Sequence, residues 1–483
     1  MVADLVALAP ELVLTTLAMV VLIAGLATGR RTHRALGALA VASLAVTGVV
    51  LAVVAGRSPA DATFFSGMFV LDHFAVFFKV LFLLSSALAI LLSLAYLERY
   101  DYRPGEYYSL VLFATVGMMV MASGDNLAPI YVGLELMALS TYVLAGYFRR
   151  EVKSNEAAAK YFVLGALSSG VLLYGLSLVY GATGSLDLAT IAERLGHGGA
   201  TAPALIGVAL MACGFLFKVA AVPFHVWTPD AYEGAPTPIT AFMSVGPKAA
   251  AFAIFLRVFL GAFAPLASSW IWFVGVAAAL TMIWGNVAAL TQNNVKRMLA
   301  YSSIAHAGYA LLGLVAGGAL GLQSVLFYML VYTVTNIGAF GFVVLLESKG
   351  YAGETVEDYA GLARSHPLAA FGMLVFLLSL GGIPPTAGFM GKLYLFAAAV
   401  HAGYIWLAVI GVLMSAVSLY YYFRIVLQMY LRDAEGAQPA TLVPAPWTDA
   451  VVAVCAVAVL VIGLYPAPFA AAAKVTLGAL GVG

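Results

Sequence analysis

Six ionisable residues stand inside long apolar stretches of the chain: Glu135, Lys160, Lys218, Lys248, His306 and Lys392. Carboxylates, lysines and histidines of this kind take up and release protons once burial or a charged neighbour shifts their affinity. A buried lysine is less stable as a cation, and a nearby carboxylate restores that stability. A pair of Glu135 and Lys218 would act as a switch: the lysine keeps its proton while paired and can release it when unpaired. Lys248, His306 and Lys392 would then hand protons on laterally, with water bridging the gaps. Each ionised group at the centre of a membrane-spanning helix costs roughly 2.5–3.5 kcal/mol, so one glutamate and four lysines together cost about 12–17 kcal/mol. A sum larger than the stability of a typical domain points to use rather than accident.

Each residue also has a plainer reading. Glu135 lies in Tyr-Val-Gly-Leu-Glu-Leu-Met-Ala-Leu, ten residues after Asp125 and fourteen before Arg149, and a structural ion pair would account for it. Lys218 is followed by Pro223 and Pro229, which cannot donate backbone hydrogen bonds, so its helix is expected to break there, in a cavity-lining position. Snorkelling is the simple alternative. His225, in the same segment, is as readily a hydrogen-bonded histidine as a proton carrier. Lys248 follows Pro247, which is expected to bend or interrupt its helix too. His306, ten residues after Lys296, has hydrogen-bonded packing as its alternative. Lys392 follows Gly381-Gly382-Ile383-Pro384-Pro385, a second break. Lys160 is one turn from Glu156 near a helix end, where snorkelling or an i,i+4 pair explains it equally well. Lys79 and Arg257 lie nearer span ends and read as snorkelling or packed residues.

The elements that hold these groups follow from composition. Of 483 residues, 63% are apolar and 9% charged, against roughly 25% charged in ordinary soluble domains. A soluble enzyme and a disordered chain are excluded. A formal charge of +1 leaves no basic field for nucleic acid. Two cysteines, Cys213 and Cys455, cannot by themselves hold a cluster or a structural zinc. No metal site and no cofactor-binding loop is recognisable.

Fourteen apolar runs reach spanning length or near it: 8–26, 36–55, 74–97, 107–122, 130–148, 157–180, 204–222, 239–263, 270–290, 298–316, 322–346, 368–400, 404–431 and 450–465. They are too long and too uniformly apolar for barrel strands. The loops at one end hold Arg30, Arg31, Arg34, Arg99, Arg103, Arg149, Arg150, Lys153, Lys296, Arg297, Lys349, Arg364 and Arg432. Those at the other hold only Arg57, Arg194 and Lys474. Thirteen against three marks the first set as cytoplasmic and puts both termini outside. No basic segment precedes the first run, which argues against a cleaved signal peptide.

Span twelve is too long to be straight, and spans seven and twelve each combine a break with a lysine, five helices apart. That suggests inverted repeats of spans four to eight and nine to thirteen. The expected fold is an all-α polytopic membrane protein with about fourteen transmembrane helices, broken at seven, eight and twelve. Its segments are 1–106 (three helices), 107–265 (first five-helix unit), 266–432 (second, inverted unit) and 433–483 (the last helix).

The segment Phe224-His225-Val226-Trp227-Thr228-Pro229-Asp230-Ala231-Tyr232-Glu233-Gly234-Ala235-Pro236, and Gly381-Gly382-Ile383-Pro384-Pro385-Thr386-Ala387-Gly388-Phe389, carry a resemblance. So do the stretches 132–140, 156–167, 244–250 and 294–308. The chain resembles the antiporter-like membrane subunits of bacterial NADH–quinone oxidoreductase, respiratory complex I, over nearly its whole length. It stops soon after span fourteen, without the lateral helix of L-type relatives. It carries Lys392 where M-type relatives usually have glutamate, so it is most similar to N-type members. The resemblance implies fourteen helices with two inverted units and redox-driven proton translocation. It also implies a Glu135–Lys218 pair tuned by Lys160, Lys248 as central relay and Lys392 as exit-side lysine. NADH, flavin, iron–sulfur clusters and quinone would belong to partner subunits in the bacterial plasma membrane, with adjacent antiporter-like subunits as neighbours. A subunit of a multi-subunit cation/proton antiporter or of a membrane-bound hydrogenase shares the broken helices and lysines. A non-transporting scaffold is the third reading.

Overall fold

The computed structural model describes residues 2–28, 33–57, 62–100, 102, 104–198, 200–347, 353–433 and 445–475. Arg30, Arg31, Arg103 and Lys349 of the basic loop set lie outside the described residues. The chain opens with α1 (Val2–Ala7), α2 (Ala9–Thr28) and α3 (His33–Ala55). A small hairpin, β1 (Thr63–Phe64) and β2 (Phe69–Val70), leads into α4 (His73–Tyr100). Next come α5 (Pro104–Ser123), α6 (Leu127–Ala145), α7 (Val152–Thr183), the short α8 (Leu188–Gly198), α9 (Ala202–Lys218), α10 (Trp227–Gly234) and α11 (Thr237–Arg257). They are followed by α12 (Ala267–Leu290), α13 (Val295–Ala316), α14 (Gly318–Leu346), α15 (Leu362–Ser365), α16 (Pro367–Gly381), α17 (Ala387–His401) and α18 (Ile405–Leu431). The described chain closes with α19 (Pro446–Leu464) and α20 (Ala467–Val475).

Among the described residues twelve helices are long and apolar enough to cross a membrane, and α9 and α16 are shorter apolar helices. The chain is an all-α polytopic membrane protein. Helices solve the backbone problem in lipid, because each satisfies its own N–H and C=O groups. The exposed Val, Leu, Phe and Trp side chains of α2, α12 and α18 are what a lipid-facing surface requires. The core is unusually polar for its depth. Every residue of α11 is buried, including Lys248 and Arg257, and α13 and α14 are buried nearly throughout.

The seventh apolar run is interrupted as its prolines require. α9 ends at Lys218 and α10 begins only at Trp227. Between them Ala220 adopts a left-handed backbone, φ 63°, which a non-glycine residue holds only when its surroundings impose it. The loop is tied down on both sides. The Val222 amide donates to Thr281 Oγ1 at 2.9 Å, and Trp227 Nε1 donates to the Phe217 carbonyl at 3.2 Å.

The twelfth run also splits. α16 ends at a left-handed Gly382, φ 82°, and α17 restarts at Ala387, where the Gly388 amide donates to Ser379 Oγ at 3.0 Å. A Cβ at Gly463 would collide with the backbone of Pro385–Ala387, so α19 lies directly on this break.

The expected interruption at Pro247 does not occur: α11 runs unbroken from Thr237 to Arg257 with Pro247 inside it. Proline removes one intrahelical bond at a cost of about 3 kcal/mol. Here α4, α5 and α14 pack along the helix and hold both halves in line.

Two junctions at opposite ends of the bundle are built alike. Asn126 caps α6 by accepting from the Ala128 amide at 2.9 Å, while the Leu127 amide donates to the Leu186 carbonyl at 2.9 Å. Asn294 caps α13 by accepting from the Arg297 amide at 3.0 Å, while the Val295 amide donates to the Glu354 carbonyl at 2.8 Å. Each cap satisfies amides that a helix start leaves orphaned.

Candidate functional site

α9 delivers Lys218 as its last residue. A cation there meets the partial negative charge of the helix end. Lys218 is buried and donates to Tyr142 Oη and Ser169 Oγ, both at 3.4 Å. These are long, weak contacts. Tyr142 and Glu135 are both on α6, two turns apart and so on one face. Glu135 and Lys218 act on each other electrostatically, yet they form no ion pair within 4 Å; the direct pair expected from sequence is replaced by the two hydroxyls. One Glu135 carboxylate oxygen, Oε1, is buried without a hydrogen-bond partner among the described residues. A desolvated carboxylate oxygen and a loosely held ammonium side by side are an unsatisfied arrangement, and a water or a shifted lysine would complete it.

Lys248 projects from α11 toward α13, where its ammonium donates to the Ser303 carbonyl at 2.7 Å and to Ser303 Oγ. His306 is one turn further along α13. Its Nδ1 bonds Tyr328 Oη at 2.6 Å and its Nε2 bonds Tyr422 Oη at 3.4 Å. Tyr422 also bonds Ser302 Oγ. The His306 ring packs among Tyr309, Tyr328 and Tyr332, and it lies within electrostatic reach of both Lys248 and Lys392.

Tyr309 bridges toward the last lysine, with Lys392 Nζ 4.8 Å above its ring. Lys392 reaches back from α17 to the end of α16, donating to the Leu380 carbonyl at 2.8 Å, the Gly381 carbonyl at 3.1 Å and Ser415 Oγ at 2.7 Å. The buried ammonium thus fills the carbonyls that the broken helix leaves open.

The structure sets Lys248, His306 and Lys392 within electrostatic reach through His306, each on its own serine or tyrosine hydroxyls. Lys218 and Glu135 stand apart: among the described residues no hydrogen bond joins Lys218 to Lys248. His225 is buried in the loop after α9, with its ring 6.2 Å from that of Trp284, and is not among the hydrogen-bond partners of Lys218.

Lys160 is at the surface, not at depth. It pairs with Glu156 at 2.6 Å and with Asp230 at 2.7 Å, which settles for the i,i+4 reading. Arg297 pairs with Asp230 at 2.7 Å and with Glu233 at 3.0 Å, so a charged network joins α7, α10 and α13. Burial pushes the Asp230 carboxyl up, but the hydrogen bonds from Lys160 and Arg297 outweigh it and hold the group below the usual carboxylate range.

Lys79 and Arg257 do not snorkel. Each is a buried partner of a carboxylate, Lys79 with Glu11 at 2.6 Å and Arg257 with Asp72 at 3.0 Å.

Sequence reasoning missed the uncharged members: Tyr142, Ser169, Ser303, Tyr309, Tyr328, Ser415 and Tyr422. Their only signal was polarity inside apolar runs, which charge counting passes over.

The comparisons with known proteins converge. A family described as NADH:quinone oxidoreductase/Mrp antiporter, TM, matches residues 124–418. NADH-quinone oxidoreductase subunit N of Trichlorobacter lovleyi is 50% identical, over 95% of this chain and 93% of that protein. Subunit N 2 of Rhizobium meliloti is 49% identical, over 95% of each. Among solved structures, respiratory complex I from Thermus thermophilus with bound aureothin holds a chain 34% identical, with a TM-score of 0.81 over 96% of this chain and 99% of that one. The Mrp complex from Dietzia sp. shares the fold, with a TM-score of 0.84 at 24% identity, over 99% of this chain and 98% of that one. With a family match over more than half of its length and close relatives over nearly all of it, the chain belongs to the NADH:quinone oxidoreductase/Mrp antiporter transmembrane family.

Proposed function

We propose that this chain is a proton-translocating membrane subunit of a redox-driven NADH–quinone oxidoreductase. The observation that carries the reading is the buried line Lys248–Ser303, His306–Tyr328/Tyr422 and Lys392–Ser415. These are three buried titratable groups, each held by its own serine or tyrosine hydroxyls, at a depth where isolated charges are costly. Nothing in such a line supplies energy. In this reading NADH, flavin, iron–sulfur clusters and quinone are handled by partner subunits, and this chain carries no redox centre. Relatives named as subunits of NADH-quinone oxidoreductase support a place in such a complex.

The basic loop ends face the cytoplasm of a bacterial plasma membrane and both termini face outside. With α9–α10 and α16–α17 each counted as one broken span, the chain has fourteen spans. It divides into 1–106, a first unit at 107–265, an inverted second unit at 266–432, and a last helix at 433–483. The twin asparagine caps support the inversion, because Asn126 and Asn294 begin corresponding helices at opposite ends of the bundle.

Protons enter from the cytoplasm near the Glu156–Lys160–Asp230 network and load at Glu135 and Lys218. They cross by Lys248 and His306 and leave outward from Lys392. The breaks at Pro223 and at Gly382–Pro385 give buried lysines polar surroundings, hydroxyls at Lys218 and open carbonyls at Lys392. Pro247 shapes α11 without interrupting it.

A cation/proton antiporter subunit is the second reading, favoured by the shared fold of the Mrp complex. Purification of the tagged chain from gently solubilised membranes separates the two. A large assembly with flavin, iron–sulfur clusters and NADH–quinone activity is expected, and a colourless set of small membrane subunits would favour the antiporter. In sealed vesicles, Glu135→Gln and Lys218→Ala are expected to lower NADH-driven pumping while the complex stays assembled. Normal pumping in both variants would refute the relay.

A further inference from the structure

Two buried ion pairs lie outside the relay, both toward the end of the bundle where α4 begins. Lys79 Nζ meets Glu11 Oε1 at 2.6 Å, with both side chains almost wholly buried. Arg257 forks onto Asp72, with Nη1 and Nη2 each 3.0 Å from a carboxylate oxygen, and Nη2 also donates to the Ala122 carbonyl at 3.0 Å. The pairs tie α2 to α4, and α4 to α11 and α5. Phe69 lies under the ammonium at 4.7 Å and Phe74 under the guanidinium at 4.8 Å.

Arg257 is on the same helix as Lys248, nine residues further toward that end. Between them stand only Ala249–Leu256, all apolar and all buried. A proton leaving Lys248 in this direction would find no hydroxyl or imidazole on α11. It would then meet a guanidinium, which is donor-only and does not release its proton. Asp72 and Glu11 are already engaged, and protonating either would strand a buried cation; Asp125 is a third, half-buried carboxylate within electrostatic reach of Arg257. An arginine and its fixed positive charge are also a known way to exclude protons from a path.

The outward end of the second unit is built differently. Beyond Lys392 on α17, Tyr394 and His401 line a cavity of about 300 Å³ together with Gln323 and Ser324.

We propose that the Arg257–Asp72 and Lys79–Glu11 pairs are an ionic seal that closes the outward end of the first unit, so that protons loaded there must cross laterally to the second. The inference rests on the proton-translocating reading and its orientation.

The test uses the assembled complex in sealed vesicles and two double variants, Arg257→Met with Asp72→Asn, and Lys79→Met with Glu11→Gln. Each removes both charges of a pair, so neither leaves a lone buried ion. Passive proton entry is measured without NADH, driven by a potassium diffusion potential with valinomycin. NADH-driven pumping per electron is measured separately. The seal predicts a several-fold faster passive leak and fewer protons per electron, at undiminished NADH–quinone turnover. Tight vesicles with full pumping in both variants would overturn it, as would turnover and pumping that fall together without a leak. If the Arg257 variant does not assemble, the Lys79 variant carries the same two outcomes. Lys218→Ala runs beside them: full pumping in that variant would break the relay reading itself, while the passive leak, which needs no turnover, still reports on the seal.

Discussion

Two broken helices hold a buried lysine at the end of their first half, and they hold it in opposite ways. Lys218 rests on two hydroxyls, each at 3.4 Å, with a carboxylate in electrostatic range but out of contact. Lys392 is clamped by two carbonyls and a hydroxyl between 2.7 and 3.1 Å. The difference lies in which element supplies the lysine. Lys218 belongs to the helix that ends, and its hydrogen bonds go to hydroxyls of α6 and α7 rather than to carbonyls. Lys392 belongs to the helix that restarts, so its side chain folds back over the break and caps it. One lysine can change partners at small cost, and the other is part of the architecture of its break.

Substitutions at the two sites should separate along that line. The largest effect is expected from Lys392→Ala. It leaves the buried Leu380 carbonyl open, at about 1–3 kcal/mol for an unsatisfied group, while the Gly381 carbonyl keeps the Ser415 hydroxyl, and it removes the outward relay. The thermal midpoint of the assembled complex and proton release in sealed vesicles should both drop. An unchanged midpoint would show that the clamp is not structural.

Lys218→Ala should come next, with pumping largely lost but the midpoint close to that of the parent, because long hydroxyl contacts contribute little. A midpoint loss as large as that of Lys392→Ala would erase the contrast.

Ser415→Ala removes one of the three bonds on Lys392, worth about 1 kcal/mol. It should lower the midpoint slightly and spare most pumping, whereas complete loss of pumping would make Ser415 a relay member in its own right.

The smallest effect serves as a reference outside both breaks. Asp230 is held below the usual carboxylate range by Lys160 and Arg297. Its contribution to stability is therefore complete above its unfolded value, near 4, and is lost as pH falls through the lowered folded value. Thermal midpoints measured across the acid range should show this loss in the parent and not in Asp230→Asn.

Much of this was legible in the residues. The spans were legible because a bilayer demands length and apolarity, and the breaks after Lys218 and before Lys392 because proline and glycine act locally. Pro247 misled for a physical reason: a single missing amide is a local cost, whereas the packing that holds α11 straight comes from helices remote in sequence. The same remoteness hid the partners of Lys79 and Arg257. Glu11 and Asp72 are distant in sequence from the cations they meet, and only tertiary structure sets them together. The hydroxyl members were hidden because serine and tyrosine are common in spans without any role in proton transfer.

The unbroken course of α11 bears on how motion can be shared in such a molecule. At 1.5 Å per residue its 21 residues make a rod about 31 Å long, walled on every side by other helices. A rod so enclosed is a stator. Lys248 has a fixed mounting, so what it can change is the direction of its side chain, not the place of its backbone.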